Sequence, residues 1–395
     1  MPQLCPELTT KLASLKQLKA EFDLELTKIK NLDSKKSDDL VLVRQIKNQL
    51  ESTLKSIQEI MVTVDWKDFY YRELTSVENK NNYHEEQVLE GNGNGVLALQ
   101  VLHGGLRLVS GGGDGTIKLW EWELNLPSRY KEKQTFSERY SVSALQVLPD
   151  GNIVSAASNG TMKIWDRNIY GLVETSQIIR EHMQGYVQTL KVFPSGRIVA
   201  GISNGGIEIW DKDSQGQYYQ AQGIAGSGGH VLTLQTLPDG QIFFSNGKIN
   251  ILHQDSWNQY DRLQEIDNQD LFTLVLQVLP DGRIVSGTLQ GDIQIWDQDA
   301  KGKYQLTQSF FGHRNSVRDL QVLPDGRIVS GGGDYTVKIW EQDQAGIYRN
   351  IETLSSAKVT NDHGSVYTLQ VLADGRIFAG YGNNNVIIWD GDKVK

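Results

Sequence analysis

Over most of the chain, apolar and polar residues alternate in short runs separated by glycine-rich turns. The clearest instance is Leu320 to Trp340, LQVLPDGRIVSGGGDYTVKIW. Two apolar-rich runs flank Pro324-Asp325-Gly326, and a third, Tyr335 to Trp340, follows a second turn. Period-two alternation with tight-turn punctuation predicts three antiparallel strands. In the turn, Pro presets φ for the second position and Gly takes the position with φ > 0.

The same unit recurs. Aligned on Trp340, the series reads Trp120, Trp165, Trp210, Leu252, Trp296, Trp340 and Trp389, in steps of 42 to 49 residues. Each Trp precedes an acid: Glu121, Asp166, Asp211, Asp297, Glu341 and Asp390. Each unit opens on a strand of the form VxxLQVL, as in Val142–Leu148, and a fourth strand begins near Tyr130, Tyr218, Tyr260, Tyr304 or Tyr348. A pitch of about 40–45 residues ending in Trp-Asp is the signature of a four-stranded propeller blade.

From about residue 81 to 395 the chain resembles the WD-repeat (Trp-Asp repeat) β-propeller family, with IVSGGGDYTVKIWE following the family pattern and Gly312-His313 at the family's Gly-His position. The resemblance implies a mainly β fold, a seven-bladed β-propeller. It also implies a hydrogen-bonded set within each blade, complete only in the sixth unit as His313, Ser330, Asp334 and Trp340. The first unit keeps Ser110, Asp114 and Trp120 without the His. Asn159, Asn204, Asn246, Gln290 and Asn383 stand at the Asp position elsewhere. These departures predict fewer buried polar networks and more reliance on apolar packing between blades.

The ends of the repeat region predict closure. The last unit stops after Trp389-Asp390 with no fourth strand, while Asn81 to Gly91 is a fourth strand with no unit before it. Tyr83 lies 13 residues before Val96, as Tyr218 does before Val231 and Tyr304 before Val317. Tyr83–Leu89 is therefore expected to pair with the last third strand and remove both sheet edges. Two units are irregular: the fourth is shortened and has Leu252 for Trp, and the seventh gains residues in Ser355 to Asp362.

The amino-terminal part has a different period. Leu8, Leu12, Leu15, Phe22, Leu26 and Ile29 form one apolar stripe, and Val43, Ile46, Leu50, Thr53, Ile57, Ile60 and Val64 another. Asp33 to Asp39 separates them. This predicts an α-helical hairpin, with domains at 1–78 (hairpin and aromatic linker) and 79–395 (propeller). The hairpin either leans on the rest of the protein or forms a coiled-coil surface for homo-oligomerisation or docking through residues 6–64. Its balanced charge speaks against a membrane-surface helix. Trp66, Phe69, Tyr70 and Tyr71 are expected to wedge the hairpin against the next domain.

Composition narrows the function classes. The 395 residues are 39% hydrophobic and 22% charged, with no apolar window long enough for a membrane span. Residues 1–80 hold 13 basic and 13 acidic residues; residues 81–395 hold 26 and 35 and carry the whole net charge of −9. An acidic body disfavours nucleic acid. One cysteine, Cys5, and no signal-peptide pattern fit a cytoplasmic protein.

No motif for nucleophilic catalysis, a P-loop or a metal site stands out, so no enzyme activity, cofactor or metal is expected. Gly111–Gly113 with Asp114, and the DxDxxG pairs Asp211-Asp213-Gly216 and Asp297-Asp299-Gly302, read as turns rather than phosphate or calcium loops. What remains is surface. The resemblance implies that the narrow face, near the start of each first strand, engages a peptide or protein partner. Arg139, Tyr140, Tyr186, Gln188, Arg314, Arg318 and Tyr367 are the candidates there, since Arg and Tyr are typical interface anchors. An interaction scaffold is the leading expectation. The alternatives are a substrate adaptor for a ubiquitin ligase or kinase, a bacterial protein delivered to a host cell, and, least favoured, a propeller enzyme with a channel active site.

Overall fold

The computed structural model describes residues 83–391, apart from 103–104, 124–128, 168–172, 181–184, 227, 238, 257–258, 267–270 and 357–363. The expected hairpin at 6–64, the aromatic segment at 65–74 and most of the insertion at 355–362 lie outside the described residues.

Each repeat folds as a four-stranded antiparallel sheet, and the seven sheets form a seven-bladed β-propeller. Blade one comprises Val96–Leu102, Arg107–Gly112, Thr116–Glu123 and Arg129–Ser137; blade six comprises Val317–Val322, Ile328–Gly332, Val337–Gln342 and Tyr348–Leu354. Blade seven has Val366–Val371, Ile377–Tyr381 and Asn385–Gly391, and takes its fourth strand, Tyr83–Glu90, from the other end of the ring. Tyr83 pairs with Gly391, Glu85 with Trp389 and Leu89 with Val386. The ring closes as the repeat arithmetic predicts, and no sheet edge is left at the seam.

The turns follow their residues. Gly326 has φ 88° and donates to the Leu323 carbonyl at 2.9 Å, while Asp325 accepts the Arg327 amide at 3.1 Å. Glycine in the second strand serves packing instead. A Cβ on Gly111, Gly201, Gly287, Gly331 or Gly380 would strike Val142, Val231, Val317, Val366 or Val96, the first valine of the next blade. Those valines are fully buried, so the small residue lets neighbouring blades meet.

A second link between blades escaped the sequence reading. In the fourth strand, the Gln four residues after the opening Tyr or Val reaches the next blade. Its side-chain oxygen accepts that strand's first amide, and its NH2 donates to a nearby carbonyl. Gln87 thus clamps Tyr130 at 2.9 and 2.8 Å, Gln134 clamps Val173, and Gln177, Gln222 and Gln264 clamp Tyr218, Tyr260 and Tyr304. Gln308 accepts from Tyr348 and donates to the Gly346 carbonyl. At the seam the clamp is Glu352, which accepts the Tyr83 amide at 2.8 Å but has no proton to donate and leaves its buried Oε2 without a partner.

Within blades, the Trp indole tests the expected polar set. Trp120, Trp165, Trp296 and Trp340 donate to Ser110, Ser155, Ser286 and Ser330 at 2.9, 2.7, 2.9 and 2.8 Å. Blade three has Ala200 at the serine position, and the buried Trp210 Nε1 has no partner. Ala200→Ser is expected to raise stability in chemical denaturation by about 1 kcal/mol, because it supplies the missing acceptor. In blade four Leu252 fills the Trp position with a side chain only 2% exposed.

Candidate binding face and central channel

The seven first strands line a central channel of about 230 Å³. Their second positions sit at one mouth of the channel: Leu97, Ser143, Gln188, Leu232, Leu274, Arg318 and Tyr367. Three residues further along, the wall carries Gln100, Gln146, Gln235, Gln277, Gln321 and Gln370, with Lys191 alone in blade three. Between these levels lies Asp319, which accepts the Leu369 amide at 2.6 Å and the Leu320 amide at 2.8 Å. Burial pushes its carboxyl up to about 6, against the pull of those amides, Lys191 and Thr368.

The candidates from sequence fall into two groups at this mouth. On blades two and three, the Arg139 guanidinium lies 6.0 Å from the Tyr140 ring centre, and Tyr140 is 44% exposed. Tyr186 and Gln188 both reach His230 of blade four, with Tyr186 Oη 3.4 Å and Gln188 Nε2 3.3 Å from its Nδ1. On blades six and seven, the Arg318 guanidinium stands 5.1 Å over the Tyr367 ring. Arg314 is exposed and joins neither group by its side chain; its amide donates to Asp334.

The structure adds Phe272 and His230. Tyr186 and Phe272 sit just before the first strands of blades three and five, and His230 holds the equivalent repeat position three residues before that of blade four, so they form an aromatic arc along one side of the mouth. Phe272 is 43% exposed, and its carbonyl accepts the amide of Leu289, which is 52% exposed. The signal was a column: the residue before the first strand is Gly or Ser in the other four blades.

Behind the mouth, the polar set of blade six is assembled. His313 is fully buried, with Nε2 2.7 Å from Ser330 Oγ and Nδ1 2.8 Å from Asp334 Oδ1. Burial alone would raise the Asp334 carboxyl, but the bonds from His313, Thr336 and the Arg314 amide hold it well below the usual carboxylate range. In blade two a carboxylate replaces the imidazole: Glu138 accepts from Ser155 at 2.6 Å and pairs with Lys163 at 2.6 Å. Blade two therefore has a buried network that the search for His missed. The DxDxxG segments are turns, with Asp213 and Asp299 each capping two backbone amides at 2.8 to 2.9 Å. Among the described residues, no group of three or more His, Cys, Asp or Glu is placed to hold a metal ion, and no helix is long and apolar enough to cross a membrane.

A closed ring of seven antiparallel sheets around a central channel defines the class: a seven-bladed β-propeller. It carries WD40 repeats, since residues 84–121, 130–166 and 304–341 match the family model "WD domain, G-beta repeat". Among solved structures, the WD40 β-propeller domain of Doa1 is similar with a TM-score of 0.65 and 18% identity, over 80% of this chain and 99% of that one. No curated protein matches the sequence.

Proposed function

We propose that the protein is an interaction scaffold whose narrow face grips an extended peptide or a loop of a protein partner. The observation that carries this reading is the pairing of exposed aromatic and cationic groups around one mouth: Tyr186, His230 and Phe272 on one side, Arg318 with Tyr367 on the other. Aromatic rings supply contact area at low entropic cost, and Arg adds directional donors, which is the composition of interface anchors. The WD40 repeats support the same reading. The segment at 6–64 would then oligomerise the scaffold or dock a second partner, and an adaptor role for another enzyme is one use of such a pair of surfaces.

A pull-down of the full chain tests the face. Arg318→Glu is expected to abolish recovery of the partner at unchanged thermal stability, because a rim charge reversal opposes the complementary partner charge. Unchanged recovery would remove Arg318 and Tyr367 from the interface.

A further inference from the structure

We propose that the central channel is a binding site for a small oxyanion, held by Lys191 within its ring of glutamine carboxamides. This site is distinct from protein recognition at the mouth. Six of the seven blades place Gln at one level of the channel wall, and blade three alone places a cation there. Lys191 is half-buried in the channel wall, and among the described residues its ammonium forms no hydrogen bond or ion pair. Its nearest counter-charge is Asp319, whose oxygens are occupied by the amides of Leu369 and Leu320 and by Thr368. The pair is coupled through space without a bond.

An ammonium partly withdrawn from water and without a protein acceptor is stabilised when an anion arrives. Desolvation in the channel wall pulls the Lys191 pKa down, and a bound oxyanion would pull it back up. The neighbouring carboxamides supply both N–H donors and carbonyl acceptors, so they can orient a phosphate or a short carboxylate, protonated or not. A channel of about 230 Å³ admits such a group and excludes a folded segment.

The test titrates the full chain calorimetrically with inorganic phosphate and, separately, with succinate, using wild type, Lys191→Gln and Lys191→Arg. Lys191→Gln installs the residue that six other blades carry, so it is expected to melt no lower than wild type. Wild type is expected to bind one equivalent of at least one anion. Lys191→Gln weakens that binding by at least about tenfold, the loss of one charge-assisted contact, and Lys191→Arg keeps it. The phosphate and succinate arms distinguish a phosphoryl from a carboxylate ligand. Absence of saturable binding of both anions by wild type would overturn the proposal. So would binding that Lys191→Gln leaves unchanged, which would mark an adventitious ion only.

Discussion

Deleting residues 83–90 is expected to lower the unfolding midpoint of the propeller on the order of 10 °C and to make its unfolding less cooperative. The segment supplies the whole fourth strand of blade seven, and its removal exposes the ladder edge of Asn385–Gly391. It also takes away Leu89, which is 4% exposed, and the Tyr83 hydroxyl bond to the Gly375 carbonyl at 3.0 Å. Loss of one buried leucine alone costs about 2–5 kcal/mol. The complementary variant strengthens the seam. Glu352→Gln gives this clamp the donor that the six other clamps have, and is expected to add about 1 kcal/mol. Differential scanning calorimetry reads both. An unchanged midpoint on deletion would mean that the ring does not depend on this strand.

His313→Ala is expected to cost about 3 kcal/mol, since it leaves a cavity and strips Ser330 and Asp334 of a shared buried partner. It should also change the pH profile. Asp334 has its carboxyl depressed in the folded state, so its contribution is fully present above the usual carboxylate range and is lost as pH falls through and below it. Without His313 that acid-side loss is expected to shrink. Urea denaturation of both proteins at pH 7 and at pH 3 measures it, and a parallel loss in the two would separate Asp334 from the imidazole.

Much of this fold was legible because each blade repeats the same local instructions. The Trp spacing, the Pro-Asp-Gly turns and the 13-residue offset from Tyr83 to Val96 are read within one unit or between two. Contacts between blades were harder to read. The Gln87 clamp on Tyr130 joins residues 43 apart, and its meaning appears only when the register of two fourth strands is known. Glu138 escaped because a carboxylate stands where the family pattern asks for His, although each bonds the second-strand serine of its own blade, Ser155 for Glu138 and Ser330 for His313. At the mouth, the Arg and Tyr candidates came from their positions at the start of first strands. Phe272 occupies the same column as Tyr186, but its 43% exposure is a property of the folded ring rather than of its sequence neighbours. Lys191 reads in sequence as an ordinary strand lysine, and it becomes distinctive only against the six glutamines that the ring brings to its level.

The central claim is that the narrow face, rather than the opposite one, meets the partner. Site-specific photocrosslinking tests it most directly, with benzoylphenylalanine in place of Tyr186, of Phe272, or of Leu106, which is 56% exposed in the turn between the first and second strands of blade one, at the far end of the channel. A discrete protein adduct is expected from positions 186 and 272 that Arg318→Glu removes, and none from position 106. An adduct from position 106 with none from 186 or 272 would contradict it.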